Sequence, residues 1–112
     1  MPRAATSSDV FNAIAEPQRR AILDVLGSEE RTVGDIVDAM GVPQPSVSKH
    51  LGVLRAVGLV EARRDGRHML YRTNAAAIRP LYEWASTFER YWSHQLGRVK
   101  QRAESKASRR TS

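Results

Sequence analysis

The chain of 112 residues contains no cysteine, which excludes disulfide bonds, thiolate metal sites and thiol-based redox sensing. It has no apolar run near the ~20 residues that a membrane-spanning helix needs. No apolar signal segment follows its N-terminus. A nucleophile–base set, a paired-carboxylate pattern and a phosphate-cradling glycine loop are also missing. We therefore expect a cytoplasmic protein that is not an enzyme and carries no cofactor.

The charge that is present is unevenly distributed along the chain. Residues 1–40 carry 4 Lys or Arg against 7 Asp or Glu, whereas residues 41–112 carry 14 against 5. A strongly basic half favours a polyanionic partner, most often nucleic acid. A basic surface that only keeps the protein in solution would give the same distribution, so charge alone leaves both interpretations open.

A helix-turn-helix is predicted in the middle of the chain. Thr32 and Asp35 are spaced as a reciprocal N-terminal cap. An apolar stripe with helical spacing follows, formed by Val33, Ile36, Val37 and Met40. Gly41 is typical of a helix C-terminus, and only two residues separate it from another helix beginning near Gln44. A short turn containing glycine between two helices is the helix-turn-helix pattern.

Two further helices are predicted ahead of this motif. The first places three apolar side chains on one face, Val10, Phe11 and Ile14. Pro17 suits the first turn of the second, because the N–H that proline lacks would be unpaired there anyway. The second helix covers residues 18–26 and ends at Gly27.

The helix that begins near Gln44 has two contrasting faces at ~100° per residue. Its inward face carries Val47, Leu51 and Leu54. Its outward face is small and polar and carries Pro45, Ser48, Lys49 and Gly52. Ser46 and His50 lie to one side of this face, and Arg55 lies to the other. Small side chains near a helix N-terminus allow close approach, and the partial positive charge of that terminus suits phosphate.

A β-hairpin is predicted over residues 59–73, where apolar and polar residues alternate around Asp65-Gly66. If that pair forms the turn, Arg64 faces Arg67 and Val60 faces Tyr71. The tip then carries four basic side chains, Arg63, Arg64, Arg67 and His68. Opposed like charges destabilise a hairpin, so the tip is expected to meet an anion. A charged turn that prevents edge-to-edge aggregation is the alternative.

The C-terminal part of the chain predicts a long helix. Asn74 is expected to cap a short turn, and Pro80 to start a helix that continues to about residue 102. This helix carries an apolar stripe, Leu81, Trp84, Ala85, Phe88, Trp92, Leu96 and Val99. The stripe is longer than so small a domain needs, which predicts packing against a second copy. The domain is expected over residues 8–103, with flexible tails at 1–7 and 104–112.

The predicted fold is mostly α with a small β-hairpin, a winged helix-turn-helix in the order α-α-α-α-β-β-α. With the stretches AEPQRRAIL, QPSVSKHLGVLRAVGLV and RDGRHMLY, the chain resembles the ArsR-type (arsenic-repressor-like) family of bacterial transcription regulators over roughly residues 10–100. The resemblance implies a homodimer that binds double-stranded DNA at an inverted repeat and usually represses, often at its own promoter. A protein–protein assembly module that does not bind DNA is the alternative.

The resemblance also implies which residues contact DNA. The second helix of the motif would enter the major groove, and the hairpin, or wing, would approach the adjacent minor groove or its phosphates. The assigned DNA contacts are Gln44, Ser46, Ser48, Lys49, His50, Arg55, Arg63, Arg64 and Arg67. The assigned dimer interface is Phe11, Leu81, Trp84, Phe88, Trp92 and Leu96. Either Arg19 or Arg20 is expected to pack or to contact phosphate.

Two features set this chain apart from the common family pattern. Pro43 stands where a serine commonly caps the second helix, and a proline side chain cannot cap it. Gly52 stands where a larger polar or basic residue is common, so one phosphate contact is expected to be missing. The EPQRRAIL stretch resembles the branch of the family without metal sites. His94 is alone in the long helix, and one isolated histidine does not make a metal site, so none is expected. The sequence does not identify an effector.

Overall fold

The computed structural model describes residues 6–98 of the chain. Over that range the backbone forms six helices and one antiparallel hairpin in the order α-α-α-α-β-β-α-α, which confirms the predicted fold class and adds a helix. The named elements are α1 Ser7–Ala15, α2 Pro17–Leu26, α3 Val33–Met40, α4 Gln44–Ala56, β1 Val60–Asp65, β2 His68–Thr73 and α5 Ala75–Ser86. The helical stretch 89–98 is called α6.

The chain divides into two compact units between Leu81 and Tyr82. Val99, the expected end of the long helix near residue 102 and the tail 104–112 lie outside the described residues, as do residues 1–5 of the N-terminal tail. Helix α1 begins inside that expected tail, because Thr6 caps it. Within 6–98, no helix is both long enough and apolar enough to cross a bilayer.

The core of the first unit is built by α1 to α4 and the start of β1. Its buried side chains are Val10, Ala13, Ile22, Leu26, Ile36, Val47, Leu51, Leu54, Leu59 and Val60. The apolar face predicted for α4 is therefore the face that is buried. Since apolar burial is the main favourable contribution to folding, this core fixes α4 against α2 and α3.

Reciprocal caps start both α1 and α3, as the sequence predicts for α3. In α3 the Asp35 N–H donates to the Thr32 hydroxyl at 3.1 Å, and the Thr32 N–H donates to the Asp35 carboxylate at 3.1 Å. Gly41 ends this helix in the left-handed conformation, with φ of 68°. Local chemistry thus defines the first helix of the helix-turn-helix at both ends.

The predicted register of the hairpin is wrong by two residues. Asp65 pairs with His68, so the turn is Gly66-Arg67 and not Asp65-Gly66. Gly66 takes φ of 59°, as a type II′ turn requires at its first central position. Arg64 consequently lies opposite Met69, and the expected pairing of Arg64 with Arg67 does not occur.

A short bridge to the loop before α3 extends the hairpin. The Arg31 N–H donates to the Tyr71 carbonyl at 2.9 Å, and the Tyr71 N–H donates to the Arg31 carbonyl at 2.8 Å. The Arg31 guanidinium also donates to the Val25 carbonyl of α2 at 2.9 Å. Strand β2 is therefore paired on both sides, and the base of the wing is joined to the start of α3.

The predicted single helix from Pro80 onward is wrong in two respects. Pro80 lies inside α5 and does not start a helix. Ala77, Ile78 and Leu81, on both sides of the proline, pack against the core and keep the chain helical through it. Pro80 has no N–H to donate to the Ala76 carbonyl four residues earlier, and Ala76 is an exposed residue.

The helix is also interrupted after α5. The Ser86 and Thr87 hydroxyls donate to the carbonyls of Glu83 and Trp84 at 2.9 and 2.7 Å. The Thr87 N–H bonds the Trp84 carbonyl at 3.2 Å, three residues back. Side-chain hydroxyls that bond nearby backbone carbonyls compete with regular helix, which explains the break before α6.

Candidate nucleic-acid interface

Helix α4 begins without a side-chain cap, as expected from Pro43. Pro43 occupies the cap position at φ −60° and ψ 145°, and its carbonyl accepts from the N–H groups of Ser46 and Val47 at 3.1 and 3.3 Å. Gln44 and Pro45 are exposed at this end. The positive end of the helix dipole is therefore accessible to an anion.

The residues of α4 that the sequence assigns to DNA differ in their exposure to solvent. Gln44, Ser48 and Lys49 are exposed, and we call them the reading face. Gly52 and Arg55 are exposed farther along the helix. Ser46 and His50 are half-buried and lie between the reading face and the core. Three of the five residues assigned to the major groove are thus openly presented.

Ser46 and His50 contact helix α2. The Ser46 hydroxyl donates to the Gln18 side-chain carbonyl at 3.0 Å. The Arg19 guanidinium lies 3.5 Å from His50 Nδ1. The sequence alone shows neither contact, because the partners are separated by 28 and 31 positions along the chain.

Arg19 and Arg20 both bond the C-terminal carbonyls of α1. Arg19 Nε donates to the Ala13 carbonyl at 2.6 Å. Arg20 donates to the Ile14 and Ala15 carbonyls at 2.7 and 3.2 Å. Those carbonyls have no partner within the helix, and a cation there also complements the helix dipole. The packing role expected for one arginine of the pair is thus present in both.

The basic side chains of the wing differ in their ionic partners. Arg63 forms a bidentate pair with Glu30, with nitrogen–oxygen distances of 2.6 and 3.0 Å. Its hydrogen bonds lower the pKa of the Glu30 carboxyl, and the Glu30 carboxylate raises the pKa of Arg63 in turn. Arg64 and Arg67 are exposed and have no ion pair among residues 6–98. Uncompensated positive charge in the wing is therefore concentrated on Arg64 and Arg67.

The second unit exposes an aromatic face, which we define as Tyr82, Trp84, Phe88, Tyr91, Trp92 and Leu96. These side chains are between 42% and 71% exposed. A groove of about 310 Å³ runs along part of this face, between Tyr82, Trp92 and Leu96. Tyr82 and Tyr91 are additions to the residues expected from the sequence, where their closeness to both tryptophans was a visible signal.

The remaining residues assigned to the dimer interface belong to the first unit. Phe11 and Leu81 are both half-buried, and Leu81 packs against the core.

As for metals, the part of the chain that the structure describes has no group of three or more His, Asp or Glu side chains that could hold an ion.

Comparison with known proteins connects this geometry to a family. Residues 14–63 match a family model described as a helix-turn-helix domain. The transcriptional repressor SdpR of Bacillus subtilis (strain 168) is 33% identical over 81 residues, which cover 72% of this chain and 90% of that protein. An ArsR-like transcriptional regulator from Rhodococcus sp. RHA1 has a TM-score of 0.66 and 31% identity, over 88% of this chain and 90% of that one. The chain belongs to the ArsR family.

Two other relatives extend the comparison for this ArsR-family chain. The HTH-type transcriptional repressor SmtB of Mycobacterium tuberculosis is 46% identical over 66 residues, which are 59% of this chain and 49% of SmtB. The chain thus spans about half the length of that relative. The homodimeric winged helix-turn-helix DNA-binding domain Mb0332 of Mycobacterium bovis has a TM-score of 0.62 and 34% identity, over 73% of this chain and 76% of that one. Like these proteins, the ArsR-family chain is a DNA-binding transcriptional regulator.

Proposed function

We propose that this ArsR-family chain is a homodimeric repressor that reads an inverted-repeat operator in double-stranded DNA with helix α4. The observation that carries the proposal is the reading face, Gln44, Ser48 and Lys49, exposed at the uncapped positive end of a helix whose opposite side is core. Lys49 can donate to guanine O6 and N7, and Gln44 can bond the edge of adenine. Small residues beside them allow the helix end to enter the groove.

The wing supplies affinity in this proposal. Arg64 and Arg67, which have no carboxylate partner within residues 6–98, neutralise backbone phosphates and carry little sequence information. Arg55 extends the contact from the other end of α4. The assignment of Arg63 to DNA stays a prediction, and its pair with Glu30 argues for a smaller contribution.

The dimer forms through the aromatic face in this proposal, together with Phe11 and Leu81. Exposed apolar patches of this kind are typical of interaction sites. The homodimeric state named for Mb0332 supports the assignment of the partner to a second copy. A twofold pair would present two α4 helices about 34 Å apart, one turn of DNA. We place the start of the folded domain at the Thr6 cap of α1 and not at residue 8, while its expected end at residue 103 stays a prediction. We place its action in the cytoplasm, without catalysis or a cofactor, and assign no effector.

The test is selection of bound sequences from random duplex DNA, followed by gel shift of the recovered duplex with wild type and Lys49→Ala. A recovered inverted repeat, bound less selectively by Lys49→Ala, would support the proposal. A chain that retains no duplex even at low salt, where electrostatic binding is strongest, would overturn it and favour the protein–protein assembly module.

A further inference from the structure

Two consecutive residues of α2 contact α4 at positions one helical turn apart. Gln18 accepts from Ser46, and Arg19 contacts His50. Positions i and i+4 lie on the same side of a helix, so the two contacts form a short polar row along one flank of α4. That flank is next to the reading face.

These polar contacts add a directional restraint to the one that the apolar core provides. Burial of Val47, Leu51 and Leu54 sets which side of α4 faces the core, but the hydrophobic effect itself is non-directional. Hydrogen bonds are directional and weaken steeply when the donor angle departs from its optimum. The Ser46–Gln18 hydrogen bond at 3.0 Å, supported by the longer Arg19–His50 contact at 3.5 Å on the same flank, therefore helps to set the direction in which the reading face points.

Arg19 also bonds the end of α1. Its Nε donates to the Ala13 carbonyl while its terminal nitrogen reaches His50. The guanidinium is planar with donors in a fixed geometry, so a bond at one end orients the other. Arg19 thereby links His50 to the backbone of α1 as well as to α2.

We infer that Gln18 and Arg19 are positioning residues for specificity, which orient α4 through Ser46 and His50 so that the reading face meets the base edges. The inference rests on the proposed function. It assigns Ser46 and His50 to the support of the helix, where the resemblance implied direct contact with bases. Loss of the support would lower discrimination between sequences more than it lowers affinity for DNA in general, because the phosphate-binding arginines of the wing are untouched.

Arg19→Lys is the first test, with Arg20→Lys as its matched control. Both changes keep the charge and disturb the bonds to the α1 carbonyls, but only Arg19 contacts α4. A mismatched base pair in an operator weakens specific binding about 5- to 150-fold. We expect Arg19→Lys to reduce that penalty at least about threefold while affinity for random duplex changes less than about twofold, and Arg20→Lys to leave both unchanged.

Gln18→Ala and Ser46→Ala form the second test, which uses no change of charge. If Gln18 acts through Ser46, both variants and the double variant lose discrimination to the same extent. If Ser46→Ala alters the preference at one base pair and Gln18→Ala does not, Ser46 reads the base directly and the inference is wrong. Melting temperatures measured alongside identify any variant that loses discrimination only because it unfolds. In that case the comparison of Arg19→Lys with Arg20→Lys decides whether the inference holds.

The failure of this inference is distinguishable from failure of the proposed function. Wild type that binds no duplex removes the proposed function. Wild type that selects a sequence, with Gln18→Ala and Arg19→Lys selecting it equally well, removes only the positioning role.

Discussion

The pairing of Arg63 with Glu30 predicts that wing arginines contribute unequally to the salt dependence of DNA binding. The exposed guanidiniums of Arg64 and Arg67 have no carboxylate partner among the described residues, so phosphate is their available anion. Arg63 already has a bidentate carboxylate at 2.6 and 3.0 Å. A phosphate would have to displace that carboxylate, so little charge neutralisation of DNA is expected from Arg63.

The expected magnitude follows from counterion release. Each phosphate contact contributes about −0.9 to the slope of log K against log salt, so Arg64→Ala, which removes one contact per protomer, should reduce the slope of a dimer by about 1.8. Between about 50 and 200 mM salt, that difference corresponds to about a 12-fold smaller loss of affinity. Arg67→Ala should behave alike.

The control replaces the ion pair without changing the net charge, as Glu30→Gln combined with Arg63→Gln. Fluorescence anisotropy of a labelled operator, titrated with each variant at several salt concentrations, measures the slopes. The double variant should keep the wild-type slope. A slope reduced by the double variant as much as by Arg64→Ala would show that Arg63 contacts phosphate and that the reasoning from the ion pair is wrong.

Three other changes give separable outcomes. Lys49→Ala should cost about 1–3 kcal/mol at particular base pairs and little elsewhere, and competition among single-mismatch duplexes measures this; a uniform loss would contradict base reading. Trp92→Ala should weaken self-association in analytical ultracentrifugation while Arg90→Ala does not; an unchanged dimer would refute the aromatic interface. The cap of α3 lowers the pKa of Asp35 through hydrogen bonds from the backbone and hydroxyl, so its stabilisation is present above about pH 4 and is lost as pH falls through the folded pKa. Urea unfolding of Asp35→Asn should therefore lose part of the decline in stability that wild type shows on acidification, and an unchanged decline would contradict this role of the cap.

The sequence predicted the features of the fold that depend on neighbouring residues. The cap of α3, its glycine end and the buried face of α4 follow from spacing within a few residues, and the structure confirms them. The register of the hairpin was not predictable in this way. Asp-Gly and Gly-Arg are both acceptable turns locally, and pairing of Tyr71 with Arg31 on the other side of β2 is a contact across the chain.

The helix around Pro80 was mispredicted for a similar reason. Local rules exclude proline from a helix interior, but packing of Ile78 and Leu81 on the core outweighs the lost bond. In the candidate site, too, features set by neighbouring residues were predictable and contacts between distant residues were not. Exposure of Lys49 could be predicted from helical spacing, whereas the Gln18 and Arg19 contacts to α4 join residues far apart in the chain and required the structure.

The bridge between Arg31 and Tyr71 couples the motion of the wing to that of the helix-turn-helix. Because one residue joins the wing to the start of α3 and also bonds the end region of α2, the hairpin has no hinge of its own at that edge. We therefore expect the wing and the start of α3 to move together, since a displacement of the hairpin at this edge would break both Arg31–Tyr71 hydrogen bonds.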